Sequence, residues 1–451
     1  MARIAVVGGG LAGCASAARL AKLGHAVTVV ERRDRLGGAL GFVEQDGFRW
    51  DAGPSSTALP AVLRDLFRKS GRPLERELDL VPVEPMREHR FTENRGKRDT
   101  GRTTVLVMPS GSRSAQLEAV SAALGDEAGR RWVDYVHGFA ETWDRLRRVY
   151  LEQPYSPDHV DKETRALLHT RTTLHRTVNR AFQDERLRQV ALLHTLLDGH
   201  DPRNVPSWMG MWSYVEQNFG TWTVPGGMGR LADAMTKRLA ERRVSVLLET
   251  TVRDLRLEHD RVVGVVTDSG PLDADVVVCA VDPRVLPALA PHVRRTMPAI
   301  PPVVTHLGLV GEVPDLPHEV VLHGDPTLVV RTNGTAPEGC AAWTVLGRGR
   351  LSEDVLQPLA RAGIDVREQV EVRIDRSPRD QVEELGGSSY GTLWQGRATI
   401  DHKLGATPYD GVHAVGAHVA AGAGLPFTGL SAAVVAEEIG PADRSPSTGE
   451  R

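Results

Sequence analysis

Four residues near the start of the chain have the types and spacing to hold a dinucleotide. Gly8, Gly10 and Gly13 form G-x-G-x-x-G within "RIAVVGGGLAGCASAARLAKLGHAVTVVER", and Glu31 closes the apolar run that follows. In such a unit the first glycine permits a tight turn. The second lets a pyrophosphate approach the backbone, and the third lets helix and strand touch. The helix N-terminus then offers free N–H groups and a partial positive charge to the anion. A carboxylate at Glu31 can accept hydrogen bonds from ribose hydroxyls. The acid alone does not separate NAD from FAD.

The elements that must position these residues can be read from the flanking pattern. Arg3 to Val7 reads as a buried parallel strand, Leu11 to Leu23 as a helix, and Ala26 to Val30 as the next strand. The helix is rich in small residues, which let it lie close to a sheet, and Gly24 is its expected C-cap. "ERRDRLGG" then places Arg32, Arg35 and the doublet Gly37-Gly38 just after the acid, and "FRWDAGPSS" supplies Asp51, Gly53, Pro54 and Ser55. Helical periodicity is expected to stop near Asp51. Residues 86–110 alternate as strands around "TENRGKRDTGR", a polar tip that reads as a solvated loop, with contact to an anionic membrane surface as the alternative.

Residues 115–200 read as helical. Trp132, Val136, Phe139, Trp143, Leu146 and Tyr150 recur at steps of three or four. That stripe is a core face, or in part the wall of an apolar substrate passage. His169, His175, His194 and His200 are scattered and form no H-E-x-x-H, so no metal site is expected. Further on, Pro225 to Gly229 forms a tight loop before an amphipathic helix marked by Leu231, Ala234, Met235 and Leu239. Val244 to Leu248, the hairpin Thr250 to Glu258 and Arg261 to Thr267, and Val276 to Ala280 read as strands. Residues 286–400 hold β-rich runs and a helix from about Ser352 to Ala362. The end, "GVHAVGAHVAAGAGLPFTGLSAAVVAEEIG", reads as a strand from Val412 to Val415, a small-residue turn and a helix starting near Pro426.

On the glycine triplet, Glu31, "ERRDRLGG" and "FRWDAGPSS", the chain resembles the FAD enzymes that include amine oxidases, protoporphyrinogen oxidases and phytoene desaturases. "VPGGMGRL" and the closing segment resemble the phytoene desaturase branch. The resemblance implies an α/β fold: a discontinuous Rossmann-type FAD-binding domain with an inserted α+β substrate domain of mixed sheet plus helices. The expected boundaries are 1–85, 220–285 and 400–440 for the first, 86–219 and 286–399 for the substrate or lid domain, and 441–451 for a disordered tail. It implies FAD as cofactor, held by Gly8, Gly10, Leu11, Ala12, Gly13, Glu31, Arg32, Gly37, Gly38, Gly53, Pro54, Ser55, Val252, Gly416, Gly424 and Leu425. The implied reaction is dehydrogenation of a C–C bond in an isoprenoid, carotenoid or related secondary metabolite, by hydride transfer to flavin. One departure stands out. Many phytoene desaturases carry His-Pro where this chain has Ala420-Ala421, with His418 two places earlier. No residue declares itself as a base; His418, Tyr390 and Tyr214 are the candidates.

Composition narrows the alternatives. Net charge is −3 and aromatics are 5%, which argues against nucleic acid as partner. No apolar run reaches the roughly 18 residues that span a bilayer, and no signal peptide is read at the start. A cytoplasmic location is therefore expected, with peripheral contact to the inner membrane face left open. Cys14, Cys279 and Cys340 form no CxxC pair and read as buried, reduced thiols. No second G-x-G-x-x-G appears, so oxygen or a quinone, not a bound nicotinamide, is the expected electron acceptor. Two other readings stay open: an amine oxidase, for which Trp394 or Tyr409 could join an aromatic pair, and an escort or GDP-dissociation-inhibitor-like binding protein without catalysis.

Overall fold

A computed structural model describes residues 1–92, 103–419 and 422–442. Five parallel strands form a sheet in the order Val412–Ala414, Val276–Cys279, Arg3–Val7, Ala26–Val30, Ser245–Leu247. Four of these are apolar almost throughout, as strands covered on both faces must be. One face carries the helices Leu11–Lys22, Pro60–Ser70, Arg230–Glu241 and Leu425–Ile439, packed through Leu20, Leu66, Phe67, Leu231 and Ala432. The other face carries a three-stranded antiparallel sheet, Val252–Glu258, Arg261–Thr267 and Gly270–Asp273. The expected strands and the first and last helices of this unit form within a residue or two of the expected bounds. The helix Pro60–Ser70 corrects the expectation that helical periodicity ends near Asp51. Its signal is present: Pro60 opens it, and Leu63, Leu66, Phe67 and Ser70 are its buried face.

A second, seven-stranded sheet runs Val370–Arg376, Val303–Val310, Cys340–Arg348, Thr327–Arg331, Glu319–His323, Arg87–Thr92, Thr103–Met108. Only the pairing of Glu319–His323 with Arg87–Thr92 is parallel. The arms Arg87–Thr92 and Thr103–Met108 pair as the hairpin read from sequence, while its polar tip lies outside the described residues. So do Ala420-Ala421 and residues 443–451. Helices between Arg113 and Phe219 cover one face of this sheet. The aromatic stripe is broken at Gly138 between the helices Asp126–His137 and Ala140–Leu146, and its last residue, Tyr150, lies in a π turn, Arg147–Leu151. All six stripe residues are buried in one core with Phe182 and Trp208.

One hairpin reaches from the first unit to the second. The hairpin Phe42–Gln45 and Phe48–Asp51 leaves the first unit and packs Phe48 and Trp50 against Ala342 and Val372 of the large sheet. Trp50 Nε1 donates to Leu307 O at 3.1 Å. At the same hairpin's end, Asp51 accepts from the Met228 and Gly229 N–H groups at 3.1 and 2.9 Å. It thereby holds the start of the helix Arg230–Glu241. Burial raises the Asp51 carboxyl in spite of those bonds.

Sheet and helices of the second unit are tied by a buried ionic cluster. Arg87 Nε donates to Glu319 Oε1 at 2.5 Å, and Arg87 Nη2 to Glu216 Oε1 at 3.3 Å. Arg331 Nε donates to Glu319 Oε2 at 3.1 Å, and His194 Nε2 lies 2.7 Å from Glu216 Oε1. Burial by itself would raise both carboxyls. The attraction of His194 and Arg87 at Glu216, and of Arg87 and Arg331 at Glu319, outweighs it and holds both down to about 2. Removing one partner from such a buried set leaves uncompensated charge, at about 3–5 kcal/mol. Arg87→Leu is therefore expected to lower the unfolding free energy by that amount, read as a lower urea midpoint at unchanged m. Because the two carboxyls sit below their ordinary value of 4.5 when folded, their contribution is full above that pH. It should fade as the pH falls toward about 2. Unchanged urea midpoints in the variant would count against the cluster as a structural tie.

Candidate functional site

The C-terminal ends of the parallel strands open into a cleft of ≈ 350 Å³ between the two sheets. Ligands bind at that edge in open parallel α/β sheets. The first turn meets the cleft at Gly8, Gly10, Leu11 and Ala12. Gly8 has φ +98°, which a residue with a Cβ rarely adopts, and a Cβ at Gly13 would stand 1.9 Å from Gly8 O. The helix and the turn touch there through backbone alone. The helix Leu11–Lys22 begins at Gly10 with no side-chain cap and no acid in its first turn. Its first N–H groups are thus left for an anion.

Glu31 is buried beside this turn. Its Oε2 accepts from Gly9 N–H at 2.6 Å and its Oε1 from Arg33 N–H at 2.9 Å. A carboxylate has about four lone-pair sites, so two remain for ribose hydroxyls. The doublet Gly37-Gly38 lies against the same turn: Gly37 N–H donates to Gly9 O at 2.8 Å. From the far end of the chain, the turn after Val412–Ala414 brings Gly416, Ala417 and His418 to the cleft, and Gly424 and Leu425 start the last helix there. Gly416 N–H donates to Ser431 Oγ at 3.0 Å, which fixes that turn on its own helix. Uncapped helix starts, a free-sided carboxylate and backbone surfaces without side chains fit a long, flat, pyrophosphate-bearing cofactor.

Most of the expected set meets in this one cleft: Gly8, Gly10, Leu11, Ala12, Glu31, Gly37, Gly38, Gly53, Pro54, Gly416, Gly424 and Leu425 line it. Gly13 lies beneath the turn. Arg33, not Arg32, lines the cleft. Arg32 turns outward and donates to the Glu383 carbonyl at 2.8 Å and to the Glu384 carbonyl. Ser55 is buried away from the cleft, and its hydroxyl has no partner among the described residues. Val252 starts its strand outside the lining, although Thr250 N–H donates to Glu31 O at 3.0 Å just before it.

His418 and Tyr390 reach the cleft; Tyr214 packs in the helical core instead. His418 Nε2 lies 3.1 Å from Ser388 O and so donates to it, with Asp282 Oδ2 at 3.8 Å. Burial lowers this imidazole and Asp282 opposes the shift. Tyr390 is raised by burial, and the Arg348 guanidinium lies 5.2 Å from its ring centre. Tyr409 donates to Ala288 O in another core and does not line the cleft, so Trp394 and Tyr409 form no pair there.

Several lining residues were not anticipated. Ala280 to Asp282 follow the strand Val276–Cys279, and their signal was its position at the ligand edge of the sheet. Gly386 to Ser389 follow a capped helix, Pro378–Leu385, as a small-residue run. Arg331, Thr344, Leu346 and Asp198 come from the second unit and carry no local signal. Cys14 and Cys279 are buried, and burial raises both thiols to about 12, so neither is a nucleophile; Cys340 is half-buried. Among the described residues no cluster of three or more His, Cys, Asp or Glu is placed to hold a metal ion.

A family model described as flavin containing amine oxidoreductase matches residues 11–313. The chain is 25% identical to a 4,4'-diapolycopene oxygenase from Methylomonas sp, over 97% of this chain and 98% of that protein. It is 30% identical to a phytoene dehydrogenase from Streptomyces griseus, over 71% of this chain and 63% of that protein. Among solved structures, a putrescine oxidase superposes with a TM-score of 0.70 at 17% identity, covering 97% of this chain and 98% of that chain. That likeness is one of fold.

The cleft geometry predicts the consequence of losing Glu31. Glu31→Ala removes the ribose acceptor and frees the Gly9 and Arg33 N–H groups. FAD retention should weaken by about 1.5–3 kcal/mol, the worth of charged hydrogen bonds. Flavin release on dilution measures this, and unchanged occupancy would remove Glu31 from the site.

Proposed function

The chain belongs to the flavin-containing amine oxidoreductase family and is an FAD-dependent oxidoreductase; on that premise we propose that it dehydrogenates an apolar isoprenoid, carotenoid or related secondary metabolite in the manner of phytoene desaturases. The observation that carries this reading is the convergence of the first glycine turn, the Gly37-Gly38 doublet and the Gly416–Leu425 segment on one cleft. Bound FAD supplies a two-electron acceptor for a substrate C–H.

The chain's own residues do the rest. The N–H groups at Leu11 and Ala12 face the pyrophosphate, and Glu31 takes the ribose. The small residues Gly416, Ala417 and Gly424 leave room for a flat ring against backbone. Substrate would lie on the side lined by Val304, Leu346, Thr344 and Tyr390, which the second unit contributes. The proposed domain division follows the two sheets: 1–85, 220–285 and 400–440 hold the cofactor, and 86–219 with 286–399 hold the substrate. Oxygen or a quinone would be the electron acceptor. Among the described residues no helix is long and apolar enough to cross a membrane. Contact with a membrane surface is proposed to be peripheral.

Purified protein should carry flavin bands near about 370 and 450 nm, as expected of the cofactor itself. Under anaerobic conditions an isoprenoid or polyene substrate should bleach the 450 nm band, and amines should not. Bleaching by amines alone would replace desaturation with amine oxidation. A colourless protein that cannot be loaded with FAD would overturn the reading.

A further inference from the structure

Beside the cleft lies a second, smaller cavity of ≈ 30 Å³. Asp198, Tyr390, Ala417 and Ala423 line both, so the two spaces share a wall. The recess is otherwise built from aromatic faces, Trp212, Trp394 and Phe427 among them, with Lys403 and Thr392 in the same wall. A volume of about 10–15 Å³ suffices for one water. The recess therefore accepts a small polar group and has no room for a hydrocarbon chain.

Asp198 is the group that needs an occupant. It ends the helix Glu185–Leu197. It is half-buried by surface area, but what it exposes faces the two cavities. Its carboxylate accepts no hydrogen bond among the described residues. Burial raises it to about 6, opposed by His194 and Arg348. Both neighbours are committed elsewhere: His194 to Glu216, and Arg348 to the Leu197 carbonyl at 2.7 Å. An apolar group seated here would strip the carboxylate of water and return nothing. A hydrogen-bond donor restores what is lost.

The same walls choose between donors. Burial lowers Lys403 to about 8, which leaves it largely charged at neutral pH, and a cation beside it would be repelled. His200, lowered to about 4 by burial and by Lys403, is neutral there and adds no charge of its own. A neutral hydroxyl meets both demands: it donates to Asp198 and tolerates the ammonium.

We propose that the recess seats a hydroxyl-bearing end of the substrate, with the Asp198 carboxylate as its hydrogen-bond acceptor and the aromatic walls as its apolar cover. This rests on the flavin oxidoreductase reading and narrows it: the substrate is an oxygenated isoprenoid, not a bare hydrocarbon.

The test compares three ligands of one C20 isoprenoid skeleton: the alcohol, the hydrocarbon and the primary amine. Binding to the FAD-loaded protein is read by quenching of tryptophan fluorescence, since Trp208, Trp212 and Trp394 line the recess. Flavin absorbance of the same samples checks the underlying reading separately. The alcohol should bind about ten-fold or more tighter than the hydrocarbon, as one charge-assisted hydrogen bond provides. It should also bind tighter than the amine. Asp198→Val should abolish the preference and leave hydrocarbon binding unchanged or improved. Asp198→Asn, which keeps an acceptor oxygen, should retain part of it. Equal binding of alcohol and hydrocarbon by the unmodified protein would overturn the proposal, as would a preference for the amine or a preference that survives in Asp198→Val. Flavin that loads normally while any of these occurs sinks the recess and spares the oxidoreductase.

Discussion

Everything in the cleft depends on one close approach, that of the first helix to the first strand. At Gly13 the distance leaves no space for even a methyl group. This contact sets where the helix begins and therefore where its unpaired N–H groups point. Glu31 is locked to the same turn through Gly9, and the Gly37-Gly38 doublet through a backbone hydrogen bond to it. An error of a few tenths of an ångström at Gly13 would propagate to three separate pieces of the cofactor wall.

The two sheets divide the chemistry. The parallel sheet contributes backbone, with glycines and small residues at each strand end. The antiparallel-rich sheet contributes side chains: Arg331, Thr344, Leu346 and, through the helices above it, Asp198. Arg331 belongs to both worlds. It pairs with Glu319 inside the buried ionic cluster and donates to Gly53 O at the cleft, at 3.2 Å. The stability of the second unit and the shape of the cleft therefore share a residue.

How much of this could be read beforehand varied with the range of the signal. The strands at 3–7, 26–30 and 276–279, the glycine turn and the acid after it are local patterns, and they formed as expected. So did the last helix, because Pro426 and the apolar run mark it within a few residues. The helix Pro60–Ser70 is equally local: Pro60 and the spacing of Leu63, Leu66 and Phe67 mark it, against the expectation that helical periodicity stops near Asp51. Arg32 and Arg33 are adjacent on an extended segment whose side chains point opposite ways, and only the tertiary fold shows that Arg33 is the one facing the cleft. Asp198 was out of reach. Nothing in "HTLLDGHD" says that this carboxylate opens on a cavity rather than on solvent; that follows from the meeting of distant segments around Tyr390 and Ala417.

The hairpin at 42–51 links the units in a way that bears on the width of the crevice. Trp50 is fastened to the large sheet and Asp51 to the helix at Arg230, so this arm acts as a strut across one side of the crevice. The opposite rim is tied as well: His418 Nε2 donates to Ser388 O at 3.1 Å, Arg32 to the Glu383 carbonyl at 2.8 Å and Arg33 to the Glu384 carboxylate at 2.7 Å. The crevice is thus braced at both rims, and its width is set by these ties as much as by the two sheets.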